Sequence, residues 1–271
     1  MGPFGKALRV ADAVGTFAMV FILPEDISIT SGSTRYHRNF MDIYISQQSR
    51  QYLSDLMEYH KVLKHRNSLL KKIKAEPKTG EIRHLDVWDE KMAELSLKLM
   101  QARDTFMTSI KPRVTELSQK LSSGNDAVGI SYRPRLDILS FSDKAQVLEI
   151  LQTHRTTDIK SGVSHLGPHR DMIDITVNGE PLRPFGSLGQ KKTVMIAMKL
   201  AALELLSESR RESAILILDE AFAQLDRNRS EALLGLLSNY GQVFLGSAAP
   251  VNIDAGAKVF EIAGGKVSER N

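Results

Sequence analysis

The sequence predicts an α/β fold carrying an inserted antiparallel helical arm. Three observations point there: two long apolar seams at helical spacing divided by a Pro- and Gly-bearing break, short apolar runs that stop at acidic residues, and a strictly alternating run followed by Asn-Gly. With 271 residues the chain is long enough for one large domain or a domain plus an appendage. Hydrophobic residues make up 42% and charged residues 25%, a balance that excludes the disordered and fibrous classes. The absence of cysteine excludes disulfides and thiolate zinc sites and fits a cytoplasmic setting. A formal net charge of +4 permits a nucleic-acid partner without requiring one.

Near the start, Lys6 and Arg9 precede an apolar run from Ala13 to Leu23, the order of a signal peptide. Asp12 breaks that pattern and no small-x-small cleavage site follows, so Phe17 to Leu23 reads as a short buried strand ended by Pro24. The run is too short to span a membrane. A polar stretch rich in Ser and Thr leads to Arg35, His37, Arg38 and Phe40-Met41-Asp42, where a helical pattern begins.

The arm follows. Leu53, Leu56, His60, Leu63, Asn67 and Leu70 alternate at spacings of three and four, which sets them along one seam of a helix. A second seam runs through Leu85, Trp88, Met92, Leu95, Leu99, Ala102 and Phe106, and on through Ile110, Val114, Leu117 and Leu121. Between them Ala75-Glu-Pro-Lys-Thr-Gly80 breaks the helix and lets the chain reverse. Lys61, Lys64, Arg66, Lys71, Lys72 and Lys74 crowd the first helix; they are either a solvated face or a track for a phosphate backbone. His60 and Asn67 read as register-setting polar residues rather than ligands.

From about Ser122 the pattern turns to α/β. Ala127 to Tyr132 is a strand, and Ile173, Ile175 and Val177 alternate before Asn178-Gly179, the signature of a hairpin. A long helix is expected from Ser187 to about Leu206, burying Val194, Ala197, Met198, Ala201 and Leu205. Ala214 to Leu218 and Gln242 to Leu245 read as buried strands, and Val259 to Ile262 with Gly264-Gly265 as a closing hairpin.

The chemistry concentrates in two segments. The apolar strand ends in Asp219-Glu220, with Asp226 a short loop further on. One carboxylate at such a strand end can sit beside a Mg²⁺-bound nucleotide and the second can polarise an attacking water, which is the layout of a Walker B motif. Acids also end buried strands simply where the chain meets solvent, so the pair alone decides little. Upstream, Gly186-Ser187-Leu188-Gly189-Gln190 opens a helix, where Ser187 is a good N-cap and small residues let an anion approach the positive helix end. A Ser-x-Gly-Gln helix, an apolar strand, Asp-Glu and a further Asp form the ordered set seen in ABC-type ATPases.

The chain resembles the RecF family of SMC-related ATPases. The resemblance rests on Pro24-Glu25-Asp26, Gly32 with Arg38 and Phe40-Met41-Asp42, Arg66-Asn67, Leu85-Asp-Val-Trp88-Asp, the two motifs above, and above all Gly167-Pro168-His169-Arg170-Asp171. It implies an ABC/SMC-type ATPase head, an incomplete P-loop NTPase fold, with residues 1–42 a remnant of the head, 43–122 the inserted arm (lobe II), and 123–271 the C-terminal head with signature motif, Walker B and D-loop. It implies that Asp219 helps hold Mg²⁺, that Glu220 is the general base, and that Ser187, Gly189 and Gln190 face ATP held mainly by the other subunit of a head-to-tail homodimer. Asp226 matches the D-loop at the shared interface. The implied partners are DNA, single-stranded, gapped or duplex, with RecO and RecR, in recombinational repair and the SOS response; no membrane is involved.

Three departures qualify these expectations. No G-x-x-x-x-G-K-[ST] occurs: Gly5-Lys6 is followed by Ala7, and Gly265-Lys266 has Phe260 and Val267 where the loop needs Gly and Ser or Thr. The signature carries Leu188 where the family commonly has Gln, and the segment after the Gln242 strand reads Gly246-Ser247-Ala248 rather than a Thr-rich or His-bearing end. An N-terminally truncated head is the expectation, hydrolysing little, because losing one stabilising donor typically costs about 100-fold in rate. The rival expectation is a non-catalytic module that holds DNA or a repair partner on the basic arm. An SMC-related ATPase of another kind would need much longer coils than these two helices.

Overall fold

The computed structural model describes residues 13–76, 79–136, 143–248 and 257–270. Gly5, Lys6, Arg9 and Asp12, and the middle of the expected break at 77–78, lie outside them. Strand β1 (Met19–Ile22) buries Val20 and Ile22 on one face and leaves Phe21 outward, with Phe17 exposed just before it. The expected buried strand is thus buried on one face only. Pro24 closes it by opening a single 3-10 turn, Pro24–Ile27, in which the Asp26 carboxylate accepts from the Leu23 N–H at 2.9 Å.

Helices α1 (Ser28–Ser31) and α2 (Thr34–Gln48) come next. Helix α2 therefore starts before Phe40, where the apolar pattern first shows. Its first turns carry polar residues that bond to the body of the molecule: His37 Nδ1 accepts from the Ile173 N–H at 3.0 Å, and Arg38 donates to the Asp171 carbonyl at 3.0 Å. Extended Ser49 separates α2 from α3 (Arg50–Ala75) and caps the latter, accepting from the Tyr52 N–H at 3.1 Å. Helix α4 (Thr79–Leu121) runs antiparallel to α3, since Arg66 meets Asp89 while the earlier Tyr52 meets the later Arg103.

On α4 the expected seam is buried from Leu85 through Met92, Leu95, Leu99, Phe106, Ile110, Val114 and Leu117 to Leu121, except that Trp88 and Ala102 are half-exposed and the neighbouring Asp89 and Arg103 are buried instead. On α3 it is shifted. Tyr52, Asp55, Tyr59, Val62, Arg66, Leu70 and Ile73 are buried, whereas Leu53, Leu56 and Leu63 flank them half-exposed. Two charged residues hold the centre of that interface, and a hydropathy pattern cannot place them.

Beyond α4 lie β2 (Val128–Arg133), α5 (Lys144–Thr153), α6 (Arg155–Ser161), a 3-10 turn at Pro168–Arg170, β3 (Met172–Val177) and β4 (Glu180–Pro181). Strands β2 and β3 pair antiparallel from Val128 opposite Val177 to Arg133 opposite Met172. Asn178 (φ 53°) and Gly179 (φ 84°) turn β3 into β4, the left-handed pair that an Asn-Gly hairpin needs. Then come α7 (Leu182–Phe185), α8 (Leu188–Arg210), β5 (Ile215–Asp219), α9 (Arg227–Leu237) and β6 (Gln242–Gly246), with the hairpin β7 (Val259–Ala263) and β8 (Lys266–Arg270). Strands β1, β5 and β6 form a parallel sheet in the order β1-β5-β6. Central β5 is paired on both edges; it buries Leu216 and Leu218 on one face and leaves Ile215 and Ile217 half-exposed on the other. Helix α8, buried along Lys192–Leu203, packs against both α4 and β1. Among the described residues no helix is long and apolar enough to cross a membrane.

The Gly167–Asp171 tract joins these layers. Arg103 of α4, almost wholly buried, donates to the Pro168 carbonyl at 2.7 Å, to Asp171 at 2.8 Å and to Asp42 of α2 at 2.9 Å. His169 Nδ1 accepts from the Tyr59 hydroxyl at 2.6 Å and its Nε2–H donates to the Ser164 carbonyl at 3.0 Å, so both ring nitrogens are satisfied in the neutral form. Burial holds its pKa down to about 4. Below pH 6.5 the unfolded chain takes up this proton first, so the associated stability is complete above pH 6.5 and is lost as pH falls towards 4. The loss amounts to about 3 kcal/mol. Burial of His37 and His60 lowers theirs too and adds in the same sense. Urea midpoints measured between pH 7 and pH 4 should therefore fall steeply, and His169→Gln should flatten much of that slope.

Candidate functional site

Asp219 and Glu220 lie at the C-terminal end of the central parallel strand, the edge where open α/β sheets place their ligands. Asp219 is exposed. Glu220 adopts a left-handed backbone, φ 48°, a conformation that a residue with a Cβ takes only when its surroundings impose it. Its N–H donates to the Gly246 carbonyl at 3.1 Å, its Oε1 accepts from the Ala248 N–H at 2.7 Å, and its carbonyl accepts from Lys192 Nζ at 3.2 Å. Lys192 also donates to the Ala223 carbonyl, so one buried ammonium holds both sides of the turn after β5. Burial lowers the Lys192 pKa, against the nearby charge of Glu220.

These groups border a recess of about 150 Å³, closed on the far side by Leu23 and Pro24 after β1. Gly246 of the neighbouring strand passes close beside Asp219: a Cβ at that position would stand 3.2 Å from Asp219 Oδ1. Among the described residues no cluster of three or more His, Cys, Asp or Glu could cage a metal. The exposed Asp219 carboxylate is the kind of donor that suits Mg²⁺, which is commonly held by one or two carboxylates while waters and substrate phosphates complete its shell. A cradle for the β and γ phosphates is not supplied by any Walker A sequence in the chain.

The second group gathers at the start of α8. Ser187 Oγ accepts from the Gln190 N–H at 3.2 Å while Gln190 Oε1 accepts from the Ser187 N–H at 3.0 Å, a complete capping box. Gln190 Nε2 donates to Asp126 at 3.0 Å. Asp226 caps α9, accepting from the Arg229 N–H at 2.9 Å. The Arg229 guanidinium joins the two helix starts: it donates to Asp226 at 3.1 Å, to Asp126 at 2.9 Å, to the Gly189 carbonyl at 3.4 Å and to Thr193 Oγ1. Phe185 and Leu188, on either side of Ser187, are 71% and 62% exposed, so the signature turn presents apolar surface outward.

Ser187, Gly189, Gln190 and Asp226 are thus brought together around Arg229, and Asp219 with Glu220 form a separate group. Among the described residues no hydrogen bond or ion pair joins the two directly; Lys192 of α8 provides the link. Asp126, Lys192 and Arg229 complete the site beyond the residues of the sequence motifs. A signal existed for Lys192, since it and Lys199 are charged residues seven apart on the otherwise apolar buried side of α8. Arg66 belongs to the arm's interior rather than to the basic face, because it is fully buried and pairs with Asp89 and Asp158, each at 2.6 Å.

A parallel sheet ending in an acid pair, beside a capped Ser-x-Gly-Gln helix and an Asp-capped helix after the strand, defines an ABC/SMC-type ATPase head. Residues 184–239, which span both groups, match the family model described as SbcC/RAD50-like, Walker B motif. The DNA replication and repair protein RecF of Bacillus pumilus is 31% identical over 96% of this chain and 72% of its own length, and that of Staphylococcus carnosus gives the same figures. A solved structure described as the recombination mediator protein RecF-ATPrS in the RecFOR pathway superposes with a TM-score of 0.84 at 31% identity, covering 97% of this chain and 71% of that one. The chain belongs to the RecF family.

Proposed function

We propose that this protein works in DNA replication and repair as a RecF-type head that binds single-stranded and gapped DNA under the control of ATP, in recombinational repair and the SOS response. The observation that supports it best is the joint outward presentation of Ser187 and Asp226, clamped by Arg229, beside exposed Phe185 and Leu188. Within one subunit Ser187 and Asp226 cap their helices and stay exposed to solvent; facing a second head, the same surface meets a nucleotide held there. In this reading Ser187, Gly189, Gln190 and Asp226 contact ATP across a head-to-tail homodimer. Asp219 holds Mg²⁺, and Glu220, fixed by Lys192 and the Ala248 N–H, orients and deprotonates the attacking water. Bound ATP·Mg²⁺ supplies the concentrated charge that draws the two heads together. The solved relatives are described within the RecFOR pathway, which supports RecO and RecR as partners.

Glu220→Gln separates this reading from a nucleotide-independent binding module. A gated clamp with its base removed should release a fluorescent gapped duplex about 10-fold more slowly in ATP·Mg²⁺ than without it. A module that merely holds DNA on the basic arm should release it at one rate whatever the nucleotide, for wild type and variant alike.

A further inference from the structure

We propose that Asp126 and Arg229 are a positioning pair that ties the head end of the arm helix to the starts of the signature and D-loop helices. The inference rests on the role proposed above for Ser187 and Asp226, and extends it to a path by which the arm and the nucleotide face influence each other.

Helix α4 runs the length of the arm and ends at Leu121 against the head. Ser122, buried just beyond it, accepts from the Asp126 N–H at 3.0 Å, so Asp126 is anchored to the helix end. The Asp126 carboxylate is itself buried and divides its two oxygens: Oδ1 takes Gln190 of α8 and Oδ2 takes Arg229 of α9. Arg229 returns to the Gly189 carbonyl, Thr193 and Asp226. One carboxylate and one guanidinium thereby join three elements that are far apart in sequence.

The chemistry makes this junction two-state rather than elastic. A planar guanidinium offers five donors in fixed directions, so it serves these acceptors together only while the three elements keep their relative placement. Hydrogen bonds weaken steeply once the fork is tilted away. A buried carboxylate that loses its cation is strongly disfavoured, so a displaced α4 must either drag α8 and α9 with it or break the pair. By linkage, whatever holds the helix starts also holds the arm. Neither residue touches a reacting group; both act through Gln190, Gly189 and Asp226.

The test is amide hydrogen exchange on the nucleotide-free protein, comparing wild type with Ser122→Ala, Asp126→Asn, Arg229→Gln and Arg229→Lys. Each is expected to speed exchange about 10-fold in both 187–193 and 226–230 while leaving the far arm at 62–73 unchanged. Asp126→Asn combined with Arg229→Gln should be no faster than Arg229→Gln alone, because the ion pair that Asp126→Asn removes is already lost there. Should Arg229→Gln not fold, Arg229→Lys, which keeps the charge and loses the fork, gives the same readout. Unchanged exchange in 187–193 for a folded Arg229 variant, or an effect confined to 226–230, would overturn the proposal. ATP·Mg²⁺ added to wild type is a separate arm: absence of protection at Ser187 there refutes the nucleotide-facing role while the nucleotide-free comparison still judges the junction.

Discussion

Arg103→Met is expected to lower the stability of the protein by about 3–5 kcal/mol, the usual cost of removing one partner from a buried ion pair. Met fills much of the volume of the Arg stem, so the loss reports charge and hydrogen bonding rather than a cavity. Without the guanidinium, Asp171 keeps the Tyr132 hydroxyl and the Arg135 N–H but loses its cation in a fully buried setting. The Pro168 carbonyl and Asp42 lose a donor at the same time. Urea denaturation should show the fall directly, and adding Asp171→Asn should recover part of it, since the second change removes the stranded charge. Equal loss in the single and double variants would show that the stranded Asp171 charge contributes nothing to the cost.

Arg66→Met should cost a similar amount, again about 3–5 kcal/mol, but with a different local signature. Arg66 pairs with Asp89 across the arm and with Asp158 of α6, and donates to Ser164 Oγ at 2.6 Å. Asp89 retains Arg155 at 2.5 Å, whereas among the described residues Asp158 retains only His165 as an ion-pair partner. The 155–165 segment should therefore lose protection from hydrogen exchange before the rest of the arm does. Arg66→Lys should recover less than half, because one ammonium on a shorter stem cannot span both carboxylates with fork geometry.

These two arginines also show where the sequence could be read and where it could not. Central β5 was legible because its run from Ala214 to Leu218 is apolar throughout and stops at Asp219, and the β3–β4 turn because Asn178-Gly179 can take the positive φ that such a turn demands. The α4 seam was legible because most of its buried positions are apolar, with Asp89, Ser96, Arg103 and Ser118 the exceptions. The α3 seam was not, since Asp55, Tyr59 and Arg66 hold positions that a hydropathy pattern assigns to solvent, while Leu53, Leu56 and Leu63 fall beside the interface. Arg66 counted as part of a basic face on spacing alone; only the approach of Asp158, far along the chain, shows that it turns inward. At the site, Ser187, Asp219, Glu220 and Asp226 announce themselves by local order along the chain. Asp126 and Arg229 carry no such local mark, because what defines them is a meeting of three elements in space.

The central claim is that nucleotide controls DNA binding through the face built by Ser187 and Asp226. Dissociation of a labelled gapped duplex from the wild-type protein, followed with and without ATP·Mg²⁺, tests it most directly. Retention prolonged by ATP·Mg²⁺ and lost in Ser187→Arg, with the nucleotide-free rate unchanged, is the predicted result; the same dissociation rate under all these conditions would contradict the account.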